Sequence, residues 1–438
     1  MTNKNLVLLL CILIFSSCYK TEQTKEAGCI PPSEEAVVLS ATNDLWKSLF
    51  SQHTKASAPA VKDVKKVFVN STKAEQDGSP VYVINFENEQ GFSVVHLKND
   101  VASVVAISDN GNINSDYLGA PCFDKEHREL YDLIELSINQ VRESPDTTHS
   151  SYICEHLEYD PDSVHVSTGE WMLNYNLGPL VPVKWGQGYP FNNRMPILSD
   201  DHQNCFSYSS YRGRYPVGCV PIAIAQVMIA ANHPSYFVGN IGTYDMADFL
   251  TISNYSNYTE FQATNYDVYL DPIREAIVDK ATDMLRKIAN GVNVIYSCKG
   301  TAAITSNAIP YLYRQDPRYY KNGETREIYN MDADNAIILS LMTNEPMIIR
   351  SPGHAWVLDG LFHAHRHSAD GNVMTKKLYH FNWGWRGYAD GYYAFNDFTF
   401  ANREALADID TNTALYESTE NYYKDGAYVI FFTVYHGN

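Results

Sequence analysis

The chain has 438 residues, 45% hydrophobic and 19% charged, a balance that sustains buried cores and excludes a disordered or fibrous chain. At the usual roughly 100 to 200 residues per domain, this length predicts about two or three domains. Lys and Arg number 33 against 51 Asp and Glu, a net charge of −18, which repels phosphate backbones and sets nucleic acid aside as a partner.

Lys4 precedes an apolar run from Leu6 to Phe15, closed by Ser16, Ser17 and Cys18. This is the order of an export signal. The run is too short to span a bilayer, and no later stretch supplies the roughly 18 apolar residues of a membrane helix. Cys18 behind two small residues resembles a bacterial lipobox, whose Cys is lipid-modified and becomes the first mature residue. Phe15 stands where such boxes more often carry Leu, and a plain secretory peptide cut nearby is the alternative. Residues 1–17 are thus read as a signal peptide of lipoprotein type and 18–34 as a polar tether. The product is expected to be exported, either anchored in the bacterial cell envelope through a lipid on Cys18 or secreted.

Helical periodicity begins near Glu34. The β-branched runs Val81–Phe86, Gly91–Leu97 and Val101–Ile107, separated by Gly, Asn and Asp turns, predict an antiparallel meander. Leu130, Leu133, Ile134 and Ile138 then recur at helical spacing within Lys125–Arg142. Residues 35–145 are therefore expected to form a small α+β unit. From Ser144 to Gly169 the chain carries Pro145, Pro161 and many Ser, Thr and Asp residues, the composition of an exposed linker open to proteolysis. A linker over 146–165 leaves 166–438 as the larger domain.

Within that domain, Trp185-Gly186-Gln187-Gly188 places a side-chain amide upstream of Cys219, where Gln187 and the Cys219 backbone N–H could stabilise an oxyanion. Val217-Gly218-Cys219 opens an apolar stretch reaching Pro234, with Pro221 suited to a first helical turn. A Cys at a helix amino end meets unpaired N–H groups and a dipole that favour thiolate, although free Cys is equally at home in a core. His354 follows a Pro-Gly turn and opens a strand. Its distance from Cys219 falls in the roughly 130 to 150 residues of a papain-type pair. The next strand ends in Asn382-Trp383-Gly384-Trp385. The Asn382 amide could accept from the imidazole and set its tautomer while Trp383 or Trp385 shields that bond, or Asn382 could simply satisfy a turn.

These pieces together, namely Gln187–Asn192, Gly218-Cys219-Val220 with Ala225–Met228, Gly353–Gly360 and Asn382–Trp385, resemble the streptopain family of papain-like cysteine peptidases. Tyr82–Phe86, Gly91–Val95 and Ala106–Asp109 are similar to that family's inhibitory propeptide. The resemblance implies an α+β fold, with a papain-like catalytic domain whose buried Cys helix packs on an antiparallel sheet bearing the His, preceded by a small α+β prodomain acting as intramolecular inhibitor. It implies a zymogen of a cysteine endopeptidase that hydrolyses proteins or peptides through a thioester, with no cofactor or metal. Cys219 would be nucleophile, His354 general base, Gln187 an oxyanion donor, and Asn382 with Trp383 the support of the imidazole. Glu404–Asp425 replaces the glycine-rich loop that borders the family's cleft, so subsite specificity is not carried over. A papain-like amidase or transpeptidase on cell-wall peptides, and an inactive binding lipoprotein of the same fold, are the alternatives.

Two other signals weigh less. His363, His365 and His367 alternate like metal ligands, but they fall between two predicted strands and are expected in a solvated hairpin loop. Cys205 is a rival thiol placed in a polar loop, and the resemblance puts Cys298 in the cleft wall. The cysteines show neither the density of a disulfide-stapled scaffold nor the paired spacing of a zinc site.

Overall fold

The computed structural model of the protein describes residues 33–50, 58–69, 80–98, 101–118, 127–143, 171–252, 272–321, 323–327, 331–351, 353–367, 373–394 and 428–431. The export segment with Cys18, nearly all of the tether, the 146–165 linker and the 404–425 stretch lie outside them.

Helix α1 (Glu34–Phe50) has Glu34 and Glu35 in its first turn and Lys47 in its last, charges that suit the helix dipole. Strands β1 (Val61–Val67), β2 (Val81–Phe86), β3 (Phe92–Lys98) and β4 (Val101–Ser108) form an antiparallel meander. Alternation along β2 and β3 sorts their side chains by face. Tyr82, Ile84, Phe86 and Val95 pack with Val38, Leu45 and Trp46 of α1. Val81, Val83, Phe92 and Val94 pack with Leu130, Ile134 and Ile138 of helix α2 (Arg128–Glu143). Two-sided cover explains why β2 is buried at every position.

The meander is not a separate sheet. β4 pairs antiparallel with β14 (Gly391–Ala394), matching Ser108 to Gly391 and Ala106 to Tyr393. β14 in turn lies beside β13 (Val373–Asn382), which lies beside β12 (His354–His367). The first half of β12 pairs with β11 (Met347–Ser351) and the second half with β5 (Met172–Leu177), so two strands share the side of β12 opposite β13. β15 (Tyr428–Phe431) and β10 (Glu324–Glu327) complete a mixed α+β fold built on one 11-stranded sheet.

Helix α3 (Cys219–Ala231) is buried from Val220 to Ile229. It packs with Ala355 and Val357 of β12 on one side and with Ala281, Leu285 and Ile288 of helix α4 (Pro272–Gly291) on the other. Asn232 stops it in the left-handed region at φ 53°, ahead of Pro234. No helix among the described residues is long and apolar enough to cross a membrane.

The His363-Ala-His365-Arg-His367 segment proves to be the distal half of β12, not a hairpin loop. Pairing on both edges extends the strand past the point where polar composition predicted a turn. His365 Nδ1 meets Asn174 Oδ1 at 2.6 Å and His363 stacks on Tyr175. No group of three or more His, Cys, Asp or Glu able to hold a metal ion occurs among the described residues.

Candidate active site

Gly218 precedes the first turn of α3 at φ 96°, a conformation that side chains resist. A Cβ there would come within 3.0 Å of Thr301 Cγ2. Thr301 lies in β9 (Gly300–Ala302), which forms a hairpin with β8 (Ile295–Ser297), and its hydroxyl donates to the Pro216 carbonyl at 2.6 Å. The hairpin thus buttresses the turn into the helix. Val217 N–H donates to the Gln187 carbonyl at 2.9 Å, which fixes the Gln187 loop two residues before Cys219.

Cys219 therefore sits half-buried at the amino end of α3, packed against the cluster that contains Ala355, whose backbone N–H favours its thiolate. Ala355 directly follows His354, so the helix delivers the sulfur to the start of the strand that begins with the imidazole. His354 is 7% exposed and lies among Trp356, Trp383 and Trp385, with ring centroids 5.9, 6.2 and 5.0 Å away. Its Nε2 is 2.9 Å from the Trp383 carbonyl. A carbonyl only accepts, so Nε2 carries the proton and Nδ1 is left as the basic nitrogen.

The support of the imidazole differs from the sequence expectation. Asn382 does not hold the ring: its Oδ1 accepts from Gln226 Nε2 at 2.8 Å and from Gly384 N–H at 3.1 Å, and its Nδ2 donates to the Val183 carbonyl at 3.2 Å. These bonds tie α3 to the turn that carries Trp383, so Asn382 acts on the site through the backbone. The imidazole's partner is the Trp383 main chain, and the buried Trp383 ring is stacked 6.2 Å from it. Trp383 N–H donates to Asp390 Oδ1 at 2.9 Å. Asp390 did not stand out in the sequence, and Gln226, although within the Ala225–Met228 piece of the resemblance, carried no assigned role. Gln226 lies in an apolar helix where a polar residue is costly unless bonded, the one signal that could have found it. Replacing Asn382 with Ala leaves the Gln226 amide and the Val183 carbonyl unsatisfied in the core. We expect a loss of about 2 to 3 kcal/mol, measured by denaturant unfolding; a loss below about 0.5 kcal/mol would contradict the bonding described.

Electrostatics in this state oppose an ion pair. Burial pushes the Cys219 thiol up to about 11, against the opposing pull of the Ala355 N–H, and the Glu129 carboxylate adds to the rise. Burial pulls His354 down to about 4, and His127 acts in the same direction. The dipole argument made from sequence is thereby outweighed, because a helix terminus offers only about 0.3 to 1 kcal/mol at a typical site. His127 and Glu129 belong to the start of α2. Glu129 Oε1 would lie 2.7 Å from a Cβ on Gly353, and His127 stacks on Tyr388 and edges onto Trp385.

The rival thiols are removed. Cys205 and Cys298 form a disulfide that links the 199–214 loop to the β8–β9 turn, leaving Cys219 as the free cysteine among the described residues. Cys205 thus has a structural partner, and the bond braces the hairpin that supports Gly218.

A free thiol at the head of a buried helix, brought to the start of a strand headed by histidine, is the constellation of a cysteine peptidase. The chain matches the model of the peptidase C10 family over residues 185–393. It is 26% identical over 364 residues to streptopain of Streptococcus pyogenes serotype M1, covering 77% of this chain and 79% of that protein. It is also 23% identical over 391 residues to the thiol protease/hemagglutinin PrtT of Porphyromonas gingivalis, covering 84% of this chain but 40% of that longer protein. The family model and both relatives support the streptopain family of cysteine peptidases for this chain.

Proposed function

We propose that the protein is an exported cysteine endopeptidase made as a zymogen, with Cys219 as nucleophile and His354 as general base. The observation that carries this reading is the free Cys219 at the head of α3, packed against the cluster that contains Ala355, the residue after His354. In the reaction, His354 Nδ1 takes the thiol proton and the sulfur attacks the substrate carbonyl. The oxyanion is met by the Cys219 backbone N–H and the Gln187 amide. The imidazolium then protonates the leaving amine, and water activated by the same ring hydrolyses the thioester. Asn382 and Trp383 keep the turn and the ring in place. No cofactor enters any of these steps.

Residues 35–145 are assigned as the inhibitory prodomain, 146–165 as the linker that is cut, and 166–438 as the papain-like peptidase domain. Support comes from the start of α2. Glu129 approaches Gly353 and disfavours thiolate at Cys219, while His127 disfavours imidazolium at His354. Glu129 thus works against the thiolate, and His127 against the imidazolium, of the pair that the reaction requires. The substrates are proteins or peptides, and the signal of residues 1–17 with Cys18 supports export, either to the cell envelope as a lipid-anchored protein or as a secreted one.

The test is labelling of the processed protein with an electrophilic epoxide directed at cysteine peptidases, followed by mass mapping. The label is expected on Cys219, and His354→Ala should suppress it. Label on another residue, or undiminished labelling in the His354 variant, would refute the assignment.

A further inference from the structure

Arg386 lies outside the catalytic pieces of the sequence, yet it brackets the Gln187 loop from both ends. Its backbone N–H donates to the Trp185 carbonyl at 3.2 Å, and its Nη2 donates to the Tyr189 carbonyl. Between those anchors the loop has glycine on each side of Gln187, and both glycines face the Arg386 side chain. A Cβ at Gly186 would fall 2.5 Å from Arg386 Cγ, and one at Gly188 would fall 3.0 Å from Nη2. Gly186 also bridges Trp385. Arg386 holds this place with its own backbone in the left-handed region at φ 60°, a conformation that side-chain-bearing residues adopt at a cost.

We infer that Arg386 is a positioning residue that fixes the loop presenting Gln187 to the oxyanion. The inference rests on the reading of Gln187 as an oxyanion donor. Arg386 supplies two of the restraints on residues 185–189, its N–H on the Trp185 carbonyl and its guanidinium on the Tyr189 carbonyl; Val217 N–H holds the Gln187 carbonyl, and Tyr189 N–H donates to the Ser210 carbonyl at 2.8 Å. The planar guanidinium makes such a reach with little loss of freedom per bond. A donor displaced by a fraction of an ångström loses transition-state stabilisation while leaving substrate binding nearly intact.

The experiment measures kcat and KM of the processed enzyme, with concentrations set by epoxide titration of Cys219 so that only folded, competent sites count. Arg386→Gly, which accepts the backbone angle, is expected to lower kcat about tenfold with KM within about twofold. Gln187→Ala is expected to lower kcat about 100-fold. In the double variant the two losses should not multiply, because the clamp has nothing left to aim. Arg386→Lys, which keeps one donor, should fall between Arg386→Gly and the parent. Unchanged kcat in Arg386→Gly, or multiplied losses in the double variant, overturns the inference and leaves the oxyanion role of Gln187 standing. Unchanged kcat in Gln187→Ala overturns both, while Cys219 and His354 keep their roles.

Discussion

Cys219→Ala is expected to lower peptide hydrolysis by at least about 10,000-fold, because no other group in the site can form the thioester. The other two cysteines among the described residues, Cys205 and Cys298, are joined to each other and cannot substitute. The variant should fold, since the thiol is only half-buried and Ala preserves the apolar packing of the helix start. Circular dichroism and thermal unfolding would confirm this. If maturation is autocatalytic, the variant should also persist as full-length protein on a gel while the parent is shortened. Hydrolysis within tenfold of the parent would refute the nucleophile assignment.

The second large effect concerns the reactivity of that sulfur before and after processing. With the thiol held at about 11 in the full-length chain, the thiolate fraction grows about tenfold for each pH unit up to that value. Alkylation of Cys219 by iodoacetamide in uncut protein should therefore be slow at neutral pH and climb steadily into alkaline solution. If residues 35–145 act as the proposed prodomain and also shield the sulfur, their removal takes away Glu129 and His127 and reverses the largest cause of the rise. The rate near pH 7.5 is expected to increase about 100-fold, with the profile moving to lower pH. Glu129→Gln in uncut protein should give a smaller gain of a few fold, because it removes one charge and leaves the burial. Equal rates for cut and uncut protein would show that the amino-terminal unit does not control the thiol.

Much of the site was legible because its parts are local. Cys219 declares itself by standing between a Gly and a Pro at the head of an apolar run, and His354 by following a Gly turn into a strand. The hairpin of β12 and β13 follows from two alternating runs joined by a polar stretch. What required tertiary contact stayed hidden. The Asn382 side chain has three partners, drawn from α3, the Val183 segment and its own turn, and no spacing rule reveals which of several acceptors it meets. The Cys205–Cys298 bond closes a separation of 93 residues, beyond any local pattern. β1 escaped notice because Val-Lys-Asp-Val-Lys-Lys-Val is an edge strand with most of its side chains in solvent, where charge protects against unwanted pairing. The left-handed Arg386 could not be foreseen either, since that angle normally belongs to Gly.

The seam between β4 and β14 bears on how the precursor would come apart. Backbone bonds at Ala106, Ile107 and Ser108 stitch the amino-terminal meander to the carboxy-terminal strands, and Ser108 adds a side-chain bond to the Asp390 carbonyl at 2.7 Å. A single nick in the connecting segment would sever the chain without dissolving that seam, so the two fragments would travel as one particle through gel filtration under native conditions. Liberation calls for the detached piece to be unravelled or digested. Its departure would bare the outer edge of β14, a row of hydrogen-bonding groups against which an extended polypeptide could lie.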